Sequence, residues 1–186
     1  MFLSNGTSFT PNIAWASGPG NWDWSRSDVT SGDYDNDGRT DFIIQYNYGN
    51  ASTGVWFMKS TGTAVTPFLA WASGPGGWDW WRSVPAAGDF TGNGRTGLGV
   101  LYNYDNATSG AWILESNGSS VTPGLAWSSG YGNWDWNRSD LTSGDYNGDG
   151  RDDLGILYDY GNSVSGVWML KSNGSSFTPS LGWSSG

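Results

Sequence analysis

Two segments place aspartates where a hard cation could take them. In GDYDNDGRTD, residues 32–41, Asp33, Asp35, Asp37 and Asp41 alternate around Gly38, and in GDYNGDGRDD, residues 144–153, Asp145, Asn147, Asp149 and Asp153 do the same. Calcium takes about six to eight oxygen ligands, and a D-x-D-x-D-G-x-x-D run wraps the chain around such an ion. The glycine makes the sharp turn, and a backbone carbonyl at Arg39 or Arg151 adds a ligand. An EF-hand is excluded, because its twelfth position falls on Ile44 or Ile156 instead of a bidentate Glu. A third copy, GDFTGNGRTG at 88–97, keeps Asp89 but has Thr91, Asn93 and Gly97 where the others carry acids or an amide. This loop is expected to bind weakly or not at all, which makes the metal a fastener of individual loops.

A second set of residues suits a polyol. Trp22, Asp23, Trp24 and Arg26 recur as Trp78, Asp79, Trp80 and Arg82, and again as Trp134, Asp135, Trp136 and Arg138. The C–H face of a pyranose can stack on an indole while a carboxylate and a guanidinium bond its hydroxyls. Tyr48, Tyr104 and Tyr160 are expected to line the neighbouring wall. The same tryptophans also suit packing between sheets, and an Asp can hold an Arg simply to fix a loop; both readings stand at this stage. Trp56, Trp112 and Trp168 are read as core residues, and Trp15, Trp71, Trp127 and Trp183 as packing residues.

Catalysis is poorly served. The chain has no His and no Cys, so the commonest general base and the thiol nucleophile are both missing. Acids outside the loops recur at strict spacing, which suggests equivalent binding sites more than one asymmetric active centre, so the chain is read as non-enzymatic. The formal charge of −9 offers no basic stripe for nucleic acid. No apolar run approaches the roughly 18 residues of a membrane span. The start, MFLSNGTSFT, has neither the charged end nor the apolar core of a secretion signal, so any signal would have been removed before this numbering.

The elements that position these residues follow from repetition. Trp22, Trp78 and Trp134 recur at one constant interval, and Asp33, Asp89 and Asp145 recur at the same interval, without insertion or deletion. The chain divides into repeats 19–74, 75–130 and 131–186 within a single domain, 1–186, and segment 1–18 copies segment 169–186 as a partial repeat. Each repeat reads as four short strands; in the first these are SDVTS, DFIIQYNY, GVWFMKS and TPFLAWA, bounded by Gly, Asn and Ser. No segment has a sustained helical period. Phe42, Ile44 and Tyr46 on one face and Ile43 on the other make a strand apolar on both sides. One four-stranded sheet of this kind per repeat is what a β-propeller blade supplies.

The runs GDYDNDGRTDFIIQYNYG and GDYNGDGRDDLGILYDYG resemble the FG-GAP or VCBS repeats of integrin-like β-propellers. The resemblance covers all three repeats and is most specific in the first and third. It implies an all-β propeller, calcium bound between the first and second strands of a blade, and a secreted or extracellular setting. It also implies kinship with Psathyrella-type lectins, hence a carbohydrate ligand, or else a structural or adhesion module. Up-and-down strands put the aspartate loops at one end of each blade and the WDW loops at the other. Three blades do not close a ring, so the expected assembly is a homo-oligomer, with a dimer of six blades favoured. The spare partial repeat of each chain would complete or clasp a blade of the other. A single-chain threefold fold such as a β-trefoil is the alternative.

Overall fold

A computed structural model describes residues 1–186, Met1 to Gly186. Its strands follow the repeat. The first repeat holds β3 (Ser27–Gly32), β4 (Asp41–Gly49), β5 (Ser52–Ser60) and β6 (Val65–Ala72). The second holds β7 (Ser83–Gly88), β8 (Gly97–Asn103), β9 (Ser109–Ser116) and β10 (Val121–Ser128), and the third β11 (Ser139–Gly144), β12 (Asp153–Gly161), β13 (Val164–Ser172) and β14 (Phe177–Ser184). The partial repeat forms a short pair, β1 (Phe2–Ser4) and β2 (Phe9–Pro11). The only helical turns are three 3₁₀ turns at Trp24–Arg26, Trp80–Arg82 and Trp136–Arg138.

Each repeat is a self-contained antiparallel meander, with strand order 3-4-5-6, 7-8-9-10 and 11-12-13-14. Every ladder joins strands of one repeat. This excludes the trefoil alternative, in which strands of different repeats would pair. Gly32 pairs with Asp41, closing the loop 33–40 at one end of the sheet. The β4–β5 hairpin at the other end turns through Asn50 and Ala51 at φ 52° and 49°, left-handed values that Asn tolerates better than Ala. The aspartate loops and the WDW loops therefore lie at opposite ends, as the up-and-down reading requires.

The sheets stack face on face. Tyr34, Ile43, Val55 and Phe57 from one face of the first sheet are buried against Trp78, Leu98, Val100 and Leu114 of the second. Phe90, Leu101, Ala111 and Ile113 from the corresponding face of the second meet Trp134, Leu154, Ile156 and Leu170 of the third. Burying each large apolar side chain contributes on the order of 1.5–3 kcal/mol, so these two interfaces dominate the stability of the chain. The opposite face of the first sheet, with Ile44, Met58 and Val65, is covered only by Ala14 and Trp15 of the N-terminal segment. The outward face of the third sheet is covered by nothing in the chain: Tyr146, Leu157 and Val167 are exposed, whereas their counterparts Tyr34, Gln45 and Val55 are buried.

The close approach of sheets depends on particular glycines. A Cβ at Gly32 would lie 2.3 Å from Thr96 Cγ2 of the next sheet, inside any permitted contact. Gly32→Ala is therefore expected to cost about 1–3 kcal/mol through forced separation of the first two sheets. Urea unfolding monitored by tryptophan fluorescence measures it, and an unchanged midpoint would show that this approach is not tight.

Candidate metal loops and aromatic clefts

The first aspartate of each loop builds the turn. Asp33 accepts the amides of Asp37 at 3.0 Å and Gly38 at 2.7 Å. Asp145 accepts Gly148, Asp149 and Gly150 at 2.7, 3.1 and 2.9 Å. Asp89 does the same for Gly92, Asn93 and Gly94 at 2.8, 3.1 and 2.7 Å. Gly38, Gly94 and Gly150 all hold φ between 82° and 85°, the left-handed region where a side chain is strained. The three loops thus share one backbone, held by an aspartate that satisfies successive amides. Those amides hold Asp145 below the usual carboxylate range, Gly150 N–H contributing most.

The remaining acids converge only where they are present. Carboxylate oxygens of Asp33, Asp35 and Asp37 lie within 4.8 Å of one another. Asp41 is buried beneath them, its Oδ1 accepting Ser60 N–H at 2.7 Å and its Oδ2 without a partner. Asp35 Oδ1 is likewise buried and unpaired. Asp153 repeats the pattern, with Oδ1 on Ser172 N–H at 2.8 Å and Oδ2 unpaired. Burial, and then the neighbouring aspartate charges, push the Asp41 and Asp153 carboxyls above their usual range. Unpaired buried oxygens are what a hard cation would satisfy, and beside the clustered carboxylates of the first loop they make a donor set that fits calcium; in the third loop Asp153 offers the same unpaired oxygen.

Neighbouring cations already answer part of this charge. Arg39 Nη2 pairs with Asp37 at 2.5 Å while its Nε donates to Ser60 O at 3.0 Å, and Arg151 does the same with Asp149 and Ser172 at 2.8 and 3.2 Å. These arginine side chains brace the loops; only their carbonyls remain as ligand candidates. Lys59 on β5 pairs with Asp35, and with Asp37 at 3.2 Å. At the equivalent place in the second repeat Glu115 accepts from Asn93 Nδ2 at 3.2 Å. Thr91 and Asn93 therefore sit in a loop with no carboxylate cluster, Gly97 leaves no buried acid, and Arg95 Nε is buried without a partner.

At the opposite end, each WDW segment is a capped turn. Asp23, Asp79 and Asp135 accept the amides of Ser25, Trp81 and Asn137 at 3.0–3.1 Å. Each also sits 3.4–3.6 Å from the Nε of Arg26, Arg82 or Arg138. Hydrogen bonds from Ser25 hold the Asp23 carboxyl below its usual range. Arg82 reaches further, to Asp105 at 2.6 Å.

The first tryptophan of each WDW is a packing residue. Trp78 and Trp134 are 5% and 6% exposed, and Trp22 is half-buried. Their indole N–H groups donate to Ser83, Ser139 and Ser27 at 2.6–3.0 Å. Edge-on contacts join them to Trp71 of β6, Trp127 of β10 and Trp15 of the N-terminal segment at 5.5–5.8 Å between ring centroids. The second tryptophans differ among themselves: Trp136 donates to Leu101 O of the preceding sheet at 3.0 Å, Trp80 buries its N–H without an acceptor, and Trp24 is 84% exposed.

In the third repeat Trp134, Arg138 and Tyr160 do meet, lining a cleft of about 250 Å³ with Asn133, Tyr158 and Trp168. Tyr160 O–H accepts Trp168 N–H at 2.7 Å, and Tyr158 O–H accepts Asp135 N–H at 3.2 Å. The same bonds recur for Tyr104 with Trp112 and Tyr48 with Trp56, at 2.9 and 2.8 Å. Tyr46, Tyr102 and Tyr158 were not singled out from sequence as wall residues, although their strict recurrence two positions before the named tyrosines was the available signal. Asp135 and Trp136 do not line the cleft.

The buried carboxylate of the first loop gives a signed expectation. Because the folded state raises the Asp41 pKa, this group favours folding below the usual carboxylate range. That contribution is lost as pH rises through the raised value. Calcium-free Asp41→Asn is therefore expected to be more stable than wild type at neutral pH, by about 1–2 kcal/mol, and no more stable at low pH. Thermal melts in chelator across pH measure this; a variant less stable at neutral pH would show that the charge is already compensated.

No family model and no curated protein matches the chain. Among solved structures it is similar to a lectin of Agrocybe aegerita described as recognising non-reducing terminal N-acetylglucosamine. The alignment has 13% identity and a TM-score of 0.31, and it covers 97% of this chain and 73% of the lectin.

Proposed function

We propose that this chain is a calcium-stabilised, multivalent carbohydrate-binding module of propeller type, non-enzymatic, and completed by association of copies of itself. The observation that carries the ligand reading is the cleft in which Trp134, Arg138, Tyr158, Tyr160 and Trp168 converge. Its walls are rigid rings locked by hydrogen bonds, and the partly exposed Arg138 guanidinium and the Tyr160 edge are the polar groups a sugar hydroxyl would meet. Trp22, Arg26 and Tyr48, and Trp78, Arg82 and Tyr104, supply the same residue types in the other repeats. Related weak sites on one body would raise avidity without new contacts.

Calcium, in this reading, serves the fold. Asp33, Asp35, Asp37 and Asp41, and Asp145, Asn147, Asp149 and Asp153, would hold one ion each, with the carbonyls of Arg39 and Arg151. The ion would neutralise charge that the loops concentrate at one end, remote from the clefts. Loops of this kind suit an extracellular setting, where weak calcium affinity suffices. The loop at Asp89, with Thr91 and Asn93, would stay metal-free.

A glycan array in calcium and in chelator tests the pair of claims. Sugar binding is expected, reduced at least tenfold by Arg138→Ala with Arg82→Ala, while the melting temperature barely moves because these side chains are partly exposed. Calcium titration is expected to raise the melting temperature with two ions bound, by the equivalent of about 2.7 kcal/mol per site at a hundredfold excess over Kd. An array without a hit assigns the module to adhesion or structure and ends the carbohydrate reading.

A further inference from the structure

We infer that the outward face of the third sheet is the seat for the inward face of the first sheet of a second copy, in the register that the two internal sheet interfaces already use. This rests on the self-association reading above and specifies its surface. Both internal interfaces are keyed by the same three hydrogen bonds. Thr96 N–H and Asp152 N–H donate to Asp33 O and Asp89 O of the preceding sheet at 2.8 and 2.9 Å. Ser116 Oγ and Ser172 Oγ donate to Tyr34 O and Phe90 O at 2.8 and 2.6 Å. Trp78 N–H and Trp134 N–H donate to Ala51 O and Ala107 O at 3.0 and 2.9 Å.

One set of each half is left over. The first repeat holds the third set of donors, Thr40 N–H, Ser60 O–H and Trp22 N–H, and the third repeat holds the third set of acceptors, Asp145 O, Tyr146 O and Ser163 O. None of these six finds a partner within the chain. The apolar surfaces match in the same sense. Tyr146, Leu157 and Val167 are 46%, 46% and 36% exposed, where Phe90, Leu101 and Ala111 are at most 2% exposed beneath the third sheet. Val29, on the inward face of the first sheet, is 59% exposed, whereas its equivalents Pro85 and Leu141 are partly covered. Gly144 is kept where Gly32 and Gly88 are needed for a following sheet, although nothing outside its own loop approaches it.

The N-terminal segment now covers part of the first sheet's inward face. It shields Ile44, Met58 and Val65 through Ala14 and Trp15, which follow the β1–β2 pair, but leaves a cavity of about 420 Å³, and the pair exposes its own Phe2 and Phe9 at 72% and 68%. Two such short strands bury far less than a four-stranded sheet would. The pair is a placeholder that the second copy displaces. Such head-to-tail contacts close into rings when the rotation between sheets permits.

Analytical ultracentrifugation of the full chain tests this. Wild type is expected at twice the 20.0 kDa chain mass or a higher integer multiple of it. Leu157→Arg and Val29→Arg, both at positions exposed in the single chain, are each expected to give monomers with unchanged circular dichroism. Mixed together they should form a two-chain species, because each retains one intact half. Phe9→Arg is expected to assemble normally. A monomeric wild type overturns both this interface and the self-association reading. An oligomer insensitive to Leu157→Arg or to Val29→Arg, a mixture that stays monomeric, or assembly lost on Phe9→Arg overturns this interface alone. If Leu157→Arg alters the dichroism, Val167→Arg on the same face replaces it under the same criteria.

Discussion

A sheet that is apolar on both faces must be covered on both faces, and everything else in this chain answers to that demand. Ile43 and Phe57 point one way from the first sheet and Ile44 and Met58 the other, so no single sheet can fold alone with its surface satisfied. Stacking solves the problem for neighbours and passes it to the ends of the stack. The alternation that specifies each strand is thus also what specifies association between repeats. Small residues at the crossing points, Gly32 against Thr96 and Gly88 against Asp152, let the backbones approach closely enough for carbonyls to accept bonds from the next sheet.

The aspartate loops divide two tasks that the sequence motif merges. Asp33, Asp89 and Asp145 fold the turn by accepting amides, a role independent of any ion, and this is why the middle loop keeps its shape after losing the other acids. The remaining acids create a local excess of charge, most acutely at Asp41 and Asp153, where an unpaired oxygen is buried. The third strand responds to that charge residue by residue: Lys59 faces the acids of the first loop, and Glu115 takes the amide of Asn93 in the second. Compensation by a tethered ammonium and compensation by a free cation are alternatives for the same oxygens. An ion entering the first loop would have to move Lys59 aside, whereas in the third loop Asn147 replaces the acid that Lys59 holds.

Much of this was legible in the sequence because spacing encodes it. The repeat, the four strands per repeat, the scarcity of helix and the placing of the two loop sets at opposite ends all follow from residue period and turn chemistry. The tryptophans of WDW were harder to place, since an indole that stacks on a sugar and one that packs on a strand have the same sequence signature. Only position in the stack separates them: Trp78 and Trp134 are buried by the sheet before them. Trp136 bonds Leu101 O of the preceding sheet, whereas Trp24, its counterpart in the first repeat, is exposed because no sheet precedes it. Tyr158 and Trp168 are not legible from sequence as cleft-lining residues for a related reason. A strand residue near a sheet's end borders solvent or core depending on how the adjoining loop folds back over it.

The sheet interfaces and the aromatic cleft are therefore not independent. The tryptophan that backs the cleft of the third repeat, Trp134, is pressed edge-on by Trp127 of the preceding repeat, as Trp78 is by Trp71. Its backbone amide is fixed by a carbonyl of that repeat's hairpin, which turns through left-handed residues. Stacking is thus what holds the aromatic wall rigid, and a ligand taken up there, as proposed, would lose less entropy on binding. Trp22 has the indole contact, from Trp15, but not the hairpin, and it remains half-buried. A cleft in the first repeat equivalent to that of the third requires a hairpin in front of Trp22, and Ser163 of the third repeat stands at the place in the repeat that would provide it.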